Sequence, residues 1–245
     1  MTAFVLTVAL LHSPRAAEAV ARGDSAFLAL NYPSAVEQYR EALLLDADSA
    51  GVLWRLARVF ICMGDVEQGD RSEQLYREAE TFAERAVQLD SLSADAHTWY
   101  AAALGSVALH VGGKTKVKLT HDILRELHRA IALDPSNDIA YSILGSFYRA
   151  LGSLSWLERR LATLLLGSIP EGSYEDGERA LKKAIELHPT APRHYYELGL
   201  LYTEWDKPEL ARELLMRSTT FPPITLRDIQ NRADAERRLR EMGEE

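Results

Sequence analysis

Three arginines of this chain have the residue type and spacing to bind an anionic group. Arg58, Arg149 and Arg193 occupy one predicted face of segments that repeat along the chain. A guanidinium presents several N–H donors in a fixed fork that fits a carboxylate or a phosphate. Aromatic and aliphatic residues share this face, so the predicted chemistry is noncovalent binding of a ligand with apolar and anionic parts. The predicted ligand-binding groove contains Trp54, Arg58, Thr98, Arg149, Trp156, Arg193 and Tyr196.

Each of these residues also has a structural alternative. Trp54 fits a core position equally well, and a single arginine on a helix surface is most often solvated. A second basic cluster, formed by Lys114, Lys116 and Lys118, follows Gly112-Gly113 directly. We predict a basic loop there, which either contacts acidic lipid headgroups or an acidic protein segment or is simply solvated.

The segments that position these residues follow a helix–turn–helix pattern. The same residue types recur at four matching offsets after Asp134-Pro135 and after His188-Pro189: Tyr141, Leu144, Gly145 and Tyr148, then Tyr195, Leu198, Gly199 and Tyr202. These offsets are typical of the tetratricopeptide repeat, a two-helix unit of about 34 residues. One unit buries its apolar face only by stacking on its neighbours. The sequence therefore predicts an all-α helical solenoid of about five repeats over residues 20–223.

The inner repeats are longer than the standard unit. In the first repeat, the small residues at which the two helices should cross, Gly23 and Ala42, are 19 positions apart. The same separation is 29 in the second and third repeats, and it is 39 in the fourth, from Gly145 to Ala184. We therefore predict elongated inner helix pairs, taller by about 7.5 Å if five residues are added to each helix.

In such a repeat, the second, fifth, ninth and twelfth positions of the first helix usually face the concave groove. Besides the residues already named, this rule places nine further residues in the groove: Ile61, Asp95, Ala102, Gly105, Ile139, Ser142, Ser146, Leu200 and Thr203. The segment Ser155–Leu166 lies among the twenty additional residues of the fourth repeat and has its leucines on or near one helical face. We predict a helix packed within the stack, with two alternatives: a flap over an apolar pocket, or a surface that contacts a membrane interface.

Both ends of the array are predicted to differ from a repeat. Residues 1–19 combine a short apolar run with the small-x-small pattern Ala17-Glu18-Ala19, which predicts a cleavable signal peptide. Cleavage would make the protein exported or periplasmic, and without it the protein would be cytoplasmic. The alternative is an apolar helix packed on the first repeat. Residues 224–245 contain Thr225 and Asp228, a weak form of the capping box, and predict a C-terminal capping helix and tail.

The composition and the motifs argue against several functions. A formal net charge of −8 disfavours a nucleic-acid binder, and the N-terminal apolar run is too short to span a bilayer. Cys62 is the single cysteine and is expected to be buried. His121 and His128 are seven positions apart, which does not fit metal ligands on one helix face, so no metal is predicted. Without a phosphate-binding loop or a nucleophile motif, we expect no catalytic residue, no cofactor and no enzyme activity.

From about Leu53 to Met242 the chain resembles the regulator of microtubule dynamics family. The resemblance rests on five local runs: Leu53–Arg58, His97–Ala101, Lys118–His121, Ala130–Pro135 and Ser155–Arg160. It implies long inner repeats, association with microtubules in animal members and, for a member that tethers endoplasmic reticulum to mitochondria, phospholipid binding by the repeat domain. We expect a non-catalytic scaffold that holds a protein or peptide partner on its concave face. The alternatives are a phospholipid-binding or lipid-transfer module and a microtubule-associated protein.

Overall fold

The computed structural model describes residues 14–243, which form twelve α-helices and no strand. The helices, in chain order, are α1 Pro14–Leu28, α2 Tyr32–Leu45, α3 Ala50–Gly64, α4 Gly69–Leu89, α5 Ala94–Ala108, α6 Gly113–Leu133, α7 Asp138–Gly152, α8 Trp156–Leu166, α9 Tyr174–Leu187, α10 Pro192–Glu204, α11 Pro208–Thr220 and α12 Leu226–Glu241. Five helix pairs stack side by side: α1 with α2, α3 with α4, α5 with α6, α7 with α9, and α10 with α11. The predicted all-α solenoid is confirmed.

Local sequence determines where the repeats begin and end. The second helices of the first four repeats end in the same way, because the N–H of a polar C-cap residue donates to the carbonyl of the small residue four positions earlier. One example is Asp134, whose N–H donates to Ala130 at 2.9 Å. Ser93 and Asn137 then cap the first helices of the third and fourth repeats through their side-chain oxygens. Such caps satisfy N–H groups that a helix leaves unpaired at its start.

The small residues in the helices mark close crossings, as the spacing predicts. A Cβ added to Gly145 of α7 would lie 2.4 Å from Cγ of Leu181 in α9. Leu181 is itself fully buried, so it has no free space in which to move away. The apolar core runs through the stack as several clusters of such buried residues.

The inner repeats are longer, but the additional length is distributed differently from the prediction. In the second and third repeats the first helices keep 15 residues, whereas the second helices have 21. The turns come early in both repeats because Gly69 and Gly113, which begin the long helices, adopt positive φ angles of 61° and 57°. In the fourth repeat the additional residues form a separate helix, α8, followed by an irregular segment before α9. The expectation of equal lengthening of both helices is therefore wrong.

The C-terminal helix α12 has two sets of contacts. It packs along α10 and α11, as a capping helix should. Its predicted capping box is present, with Thr225 accepting from the N–H of Asp228 and Asp228 accepting from the N–H of Thr225. Its first turn also reaches the other end of the array. The N–H of Leu226 donates to the Tyr32 hydroxyl at 3.0 Å, and Arg227 donates to the Asp65 carbonyl at 3.1 Å. Helix α12 therefore joins the last repeat to the first two.

The predicted signal peptide lies largely outside the described residues. Residues 1–13 are not described, whereas residues 14–19 belong to α1, in which Ala16 and Ala19 are buried. Within residues 14–243, no helix has the length and apolar character needed to cross a membrane.

Candidate functional site

A cleft of about 590 Å³ opens on the concave side of the stack, between α5, α6 and α7. We call it the concave cleft. Helix α8 and the residues that follow it form one wall, through Ala162, Leu166 and Ile169. The other walls are mostly aliphatic or aromatic, with Ile143 and Phe147 from α7 and Val117 from α6. A volume of this size and an apolar lining are typical of small-molecule binding sites.

Apart from Trp99, the α5 residues that line the cleft are small, which leaves space between the helices. Ala102 and Gly105 lie on this face of α5, in the third repeat. A Cβ added to Gly105 would have no atom within 4 Å, so this glycine borders open space rather than a helix crossing. A bulky residue in its place would project into the cleft.

The hydroxyl groups that line the cleft are already hydrogen-bonded within the protein. Ser106 donates to the carbonyl of Ala102 at 3.1 Å, and Thr120 donates to that of Val117 at 2.6 Å. Ser146 lies within hydrogen-bond distance of the Ser142 carbonyl and of the Glu197 carboxylate. These walls therefore offer apolar contact and few hydrogen-bond donors to a ligand.

Two cations that line the cleft are available to a ligand. The side chains of Arg193, at the start of α10, and Lys116, in the first turn of α6, make no hydrogen bond or ion pair with other parts of residues 14–243. Asp65 also lines the cleft, and burial raises the pKa of its carboxyl group despite the opposing charges of Arg193 and Arg227. Arg193 is therefore a predicted groove cation that faces the cleft without an ion-pair partner.

The other two predicted groove arginines belong to internal networks. Arg149 lines the cleft, but its guanidinium pairs with Glu197 at 3.3 Å and with Glu204. Arg58 pairs with Asp24 at 3.3 Å, and its guanidinium lies 3.8 Å from the centre of the Phe27 ring. Both side chains are partly buried, so these arginines hold the stack together.

Three more predicted groove residues have structural positions. Thr98 is 1% exposed and donates to the Ala94 carbonyl, so it does not line the cleft. Trp54 is half-buried, and the Arg55 guanidinium lies 4.3 Å from the centre of the Trp54 ring. Tyr196 is covered by α12 and donates a hydrogen bond to Asp234 at 2.8 Å. The chain's own C-terminal helix thus occupies the concave face at the fifth repeat.

The remaining predicted residues lie beside the cleft rather than in one groove with the arginines. Trp156, at the start of α8, is exposed, and Arg160 lies over its ring. Lys114, Lys116 and Lys118 belong to the first turns of α6, so the predicted basic loop is helical from Gly113 onwards. The structure brings Arg149, Arg193 and Lys116 to the cleft and distributes the other predicted residues around it.

The rule for concave positions also placed in the groove residues that are not part of the predicted ligand-binding set. Of the further positions that this rule placed in the groove, four line the cleft (Ile61, Ala102, Gly105 and Ser146) and five do not (Asp95, Ile139, Ser142, Leu200 and Thr203). The rule covers only first helices, so it could not identify the contributions of α6, the second helix of the third repeat, or of α8, which comes from the additional residues of the fourth. Val117 and Leu166 are examples, and no repeat position predicts them.

A side-chain cluster that the sequence did not suggest connects the fourth and fifth repeats. Asp138 accepts from Nε2 of His194 at 2.9 Å and lies 3.3 Å from Nδ1 of His188. Burial alone would raise the pKa of Asp138, but the hydrogen bond from His194 and the two imidazoles lower it overall. Three potential ligand atoms lie within 4.8 Å of one another. However, Nδ1 of His194 is buried without a partner, whereas metal-bound imidazoles usually donate that second N–H. We interpret the cluster as a structural contact between repeats.

Comparisons with known proteins agree with this architecture. A family model described as regulator of microtubule dynamics protein 1-3 matches residues 20–243. Regulator of microtubule dynamics protein 1 of Mus musculus is 28% identical over 201 residues, covering 81% of this chain and 64% of that protein. Protein 3 of Mus musculus is 31% identical over 190 residues, covering 75% of this chain and 40% of that protein. The chain therefore spans less than two thirds of the length of these relatives.

Two solved structures show a similar fold. A tetratricopeptide-repeat protein from Thermus thermophilus has a TM-score of 0.66 at 17% identity, covering 93% of this chain and 98% of that protein. Yeast Tom70 has a TM-score of 0.55 at 15% identity, covering 94% of this chain and 41% of that protein. The helix pairs and the concave cleft define a helical-repeat scaffold of the tetratricopeptide type. The match over residues 20–243 shows that the chain belongs to the regulator of microtubule dynamics protein 1-3 family.

Proposed function

We propose that the protein is a non-catalytic helical-repeat module that binds an acyl-chain amphiphile with an anionic headgroup in the concave cleft. The observation that supports this proposal is an apolar cleft whose lining hydroxyls are already hydrogen-bonded. An acyl chain needs no hydrogen bonds from the walls, whereas a peptide has backbone groups that are costly to bury unpaired. Arg193 or Lys116 would pair with the phosphate or carboxylate of the headgroup.

The test uses Gly105, because a Cβ there would meet no atom within 4 Å and a larger side chain would project into the cleft. The chain is purified from its own host, and native mass spectrometry with lipid extraction identifies bound molecules. We expect one phospholipid or fatty acid per chain on the wild type and on Gly105→Ala, and none on Gly105→Phe. A wild-type chain that shows no bound lipid and does not bind a fluorescent phospholipid added to it would contradict the proposal.

A second candidate is the protein or peptide scaffold expected from the repeat class. One observation favours it: Arg193 faces the cleft without an ion pair, and a guanidinium fits the C-terminal carboxylate of an apolar peptide. The discriminating experiment is affinity capture with the wild type and with Arg193→Gln. A partner protein that binds the wild type, is lost with Arg193→Gln and is displaced by a peptide of its own C-terminus would favour the peptide function.

The names of this chain's relatives are the only basis for a role at microtubules. Lys114, Lys116 and Lys118 form the basic cluster that such a role would use on an otherwise acidic chain. Cosedimentation with polymerised tubulin tests it. Equal amounts of protein in the pellet with and without microtubules would eliminate this role.

A further inference from the structure

Helix α8 has an apolar face that no other part of residues 14–243 covers. None of its eleven residues is buried. Leu157, Leu161, Leu164 and Leu165 follow the i, i+4, i+7 and i+8 spacing of one helical face, and their exposed fractions range from 48% to 80%. Trp156, at the start of the helix, is 70% exposed. Soluble proteins rarely expose such a contiguous apolar surface unless it contacts a partner or a membrane.

The orientation of this face is fixed by contacts on the opposite side of α8. Ala162 and Leu166 line the concave cleft. Arg159 donates to the carbonyl of Leu151 at 2.7 Å and to that of Pro170 at 3.1 Å. The helix also begins with a complete capping box, formed by Ser155 and Glu158. The outward position of the leucines is therefore built into the fold.

Positive charge lies directly beside this apolar face. Leu166, at the end of α8, is 3.9 Å from where a Cβ of Gly113 would be, so the end of α8 adjoins the start of α6. Lys114, Lys116 and Lys118 occupy the first turns of α6 and are exposed, and their ammonium groups make no hydrogen bond or ion pair within the described part of the chain. Arg160 adds a further exposed cation.

Two of the acidic groups near this surface make local contacts, while Glu171, five residues after the end of α8, is exposed. Glu158 accepts the capping-box hydrogen bonds of Ser155, and Asp122 pairs with Arg125. Unpartnered lysines are thus concentrated beside the apolar face of a chain whose formal net charge is −8. This local charge is complementary to an anionic surface.

We propose that the outward face of α8, together with Lys114, Lys116 and Lys118, docks onto an anionic lipid bilayer. A surface with leucines on one side and cations at its edge matches the interface between acyl chains and anionic headgroups. A second copy of the chain is a poorer fit, because a two-fold pairing of α8 would bring two sets of lysines together. The leucine face lies opposite the side of α8 that lines the concave cleft, so docking does not require a bound lipid, although Lys116 belongs to both surfaces.

In the docked protein, α8 lies parallel to the membrane plane. The leucines enter the acyl region, Trp156 lies at the headgroup level, and the lysines contact lipid phosphates or carboxylates. Binding therefore requires anionic lipid and weakens as salt is added, because exposed charge–charge attraction is screened.

The test is cosedimentation of the full chain with phosphatidylcholine vesicles that contain or lack phosphatidylserine. The apolar variant is Leu161→Glu with Leu164→Glu, and its single-site control is Leu44→Glu, because Leu44 is 89% exposed on α2. The charge variant replaces all three lysines with Glu. Its control makes the same change in net charge elsewhere, at Arg71, Arg212 and Arg240, which are exposed and unpaired within residues 14–243.

We expect the wild type and both controls to bind only vesicles with phosphatidylserine, and each docking variant to bind at least ten-fold more weakly. Gly105→Phe should bind these vesicles like the wild type, which separates docking from occupation of the cleft. Failure of the wild type to bind, or unchanged binding of the Leu161→Glu, Leu164→Glu variant, would overturn the proposal. If the wild type does not bind vesicles but forms a dimer, and the Leu161→Glu, Leu164→Glu variant is monomeric, the face serves self-association instead.

Discussion

Two glycines of this chain give opposite predictions for the same substitution. Gly105 in α5 and Gly145 in α7 both lie inside first helices of neighbouring repeats. Replacing either with Ala should improve intrinsic helix stability by about 0.5–1 kcal/mol, because glycine has greater backbone freedom in the unfolded chain. The two sites differ in the space available to the new methyl group.

The structure sets the size of this difference. At Gly105 the added Cβ meets no atom within 4 Å. At Gly145 it would lie 2.4 Å from Cγ of Leu181 and 3.1 Å from the carbonyl oxygen of Gly177, well inside the roughly 3.5–4.0 Å that carbon atoms prefer. Overpacking of this kind costs about 1–3 kcal/mol. The propensity gain is common to both variants, so their unfolding free energies should differ by about 1–3 kcal/mol, with Gly105→Ala the more stable.

Urea unfolding followed by far-ultraviolet circular dichroism measures this difference, with the wild type as the reference. We expect the midpoint of Gly105→Ala to lie above that of the wild type and the midpoint of Gly145→Ala to lie below that of Gly105→Ala. Gly145→Leu, which adds more atoms at the same crossing, should lose several kcal/mol. Equal stability of the two Ala variants would refute the close crossing at Gly145 and the repeat alignment on which it rests.

Three further predictions concern the packing around the site. Burial, reinforced by the charge of Asp65, raises the pKa of the Cys62 thiol to about 12, so a thiol reagent at neutral pH should label this residue only after denaturation. Arg149→Leu should destabilise the chain by about 2 kcal/mol in urea titrations, because it leaves partly buried carboxylates without their partner. At Asp234, burial favours the neutral form, but hydrogen bonds from Arg238, Tyr196 and Arg237 outweigh it and lower the pKa to about 2. Its stabilising contribution is complete above about pH 4 and is lost as the pH falls towards 2, so Asp234→Asn should flatten the pH dependence of stability in that range.

The repeat architecture could be predicted because it depends on local and periodic information. Close crossings such as that at Gly145 follow from the spacing of small residues, and the capping box of Thr225 follows from two residues three positions apart. The placement of the additional residues was harder to predict from the sequence. Gly69 and Gly113 set early turns by adopting positive φ, and this conformation could not be inferred from repeat spacing alone.

The candidate site was only partly predictable. Whether one of its residues is free to bind a ligand depends on contacts between distant parts of the chain. Arg149 lines the cleft, but its partners Glu197 and Glu204 lie 48 and 55 positions further along. Tyr196 has the right helical position for a groove residue, yet α12 covers it. A repeat pattern identifies which side chains face the concave side and gives no information about which of them remain open.

The reach of α12 to the opposite end of the array changes the expected mode of unfolding. A linear array of repeats frays from its ends, because each terminal unit has one neighbour instead of two. Here the hydrogen bonds from Leu226 to Tyr32 and from Arg227 to Asp65 give the first two repeats an additional neighbour. Contacts thus connect the two ends of the array, and both ends should unfold at the same temperature. A proteolytic cut before residue 224 would loosen the first repeat, although more than 150 residues of intact chain separate the two sites.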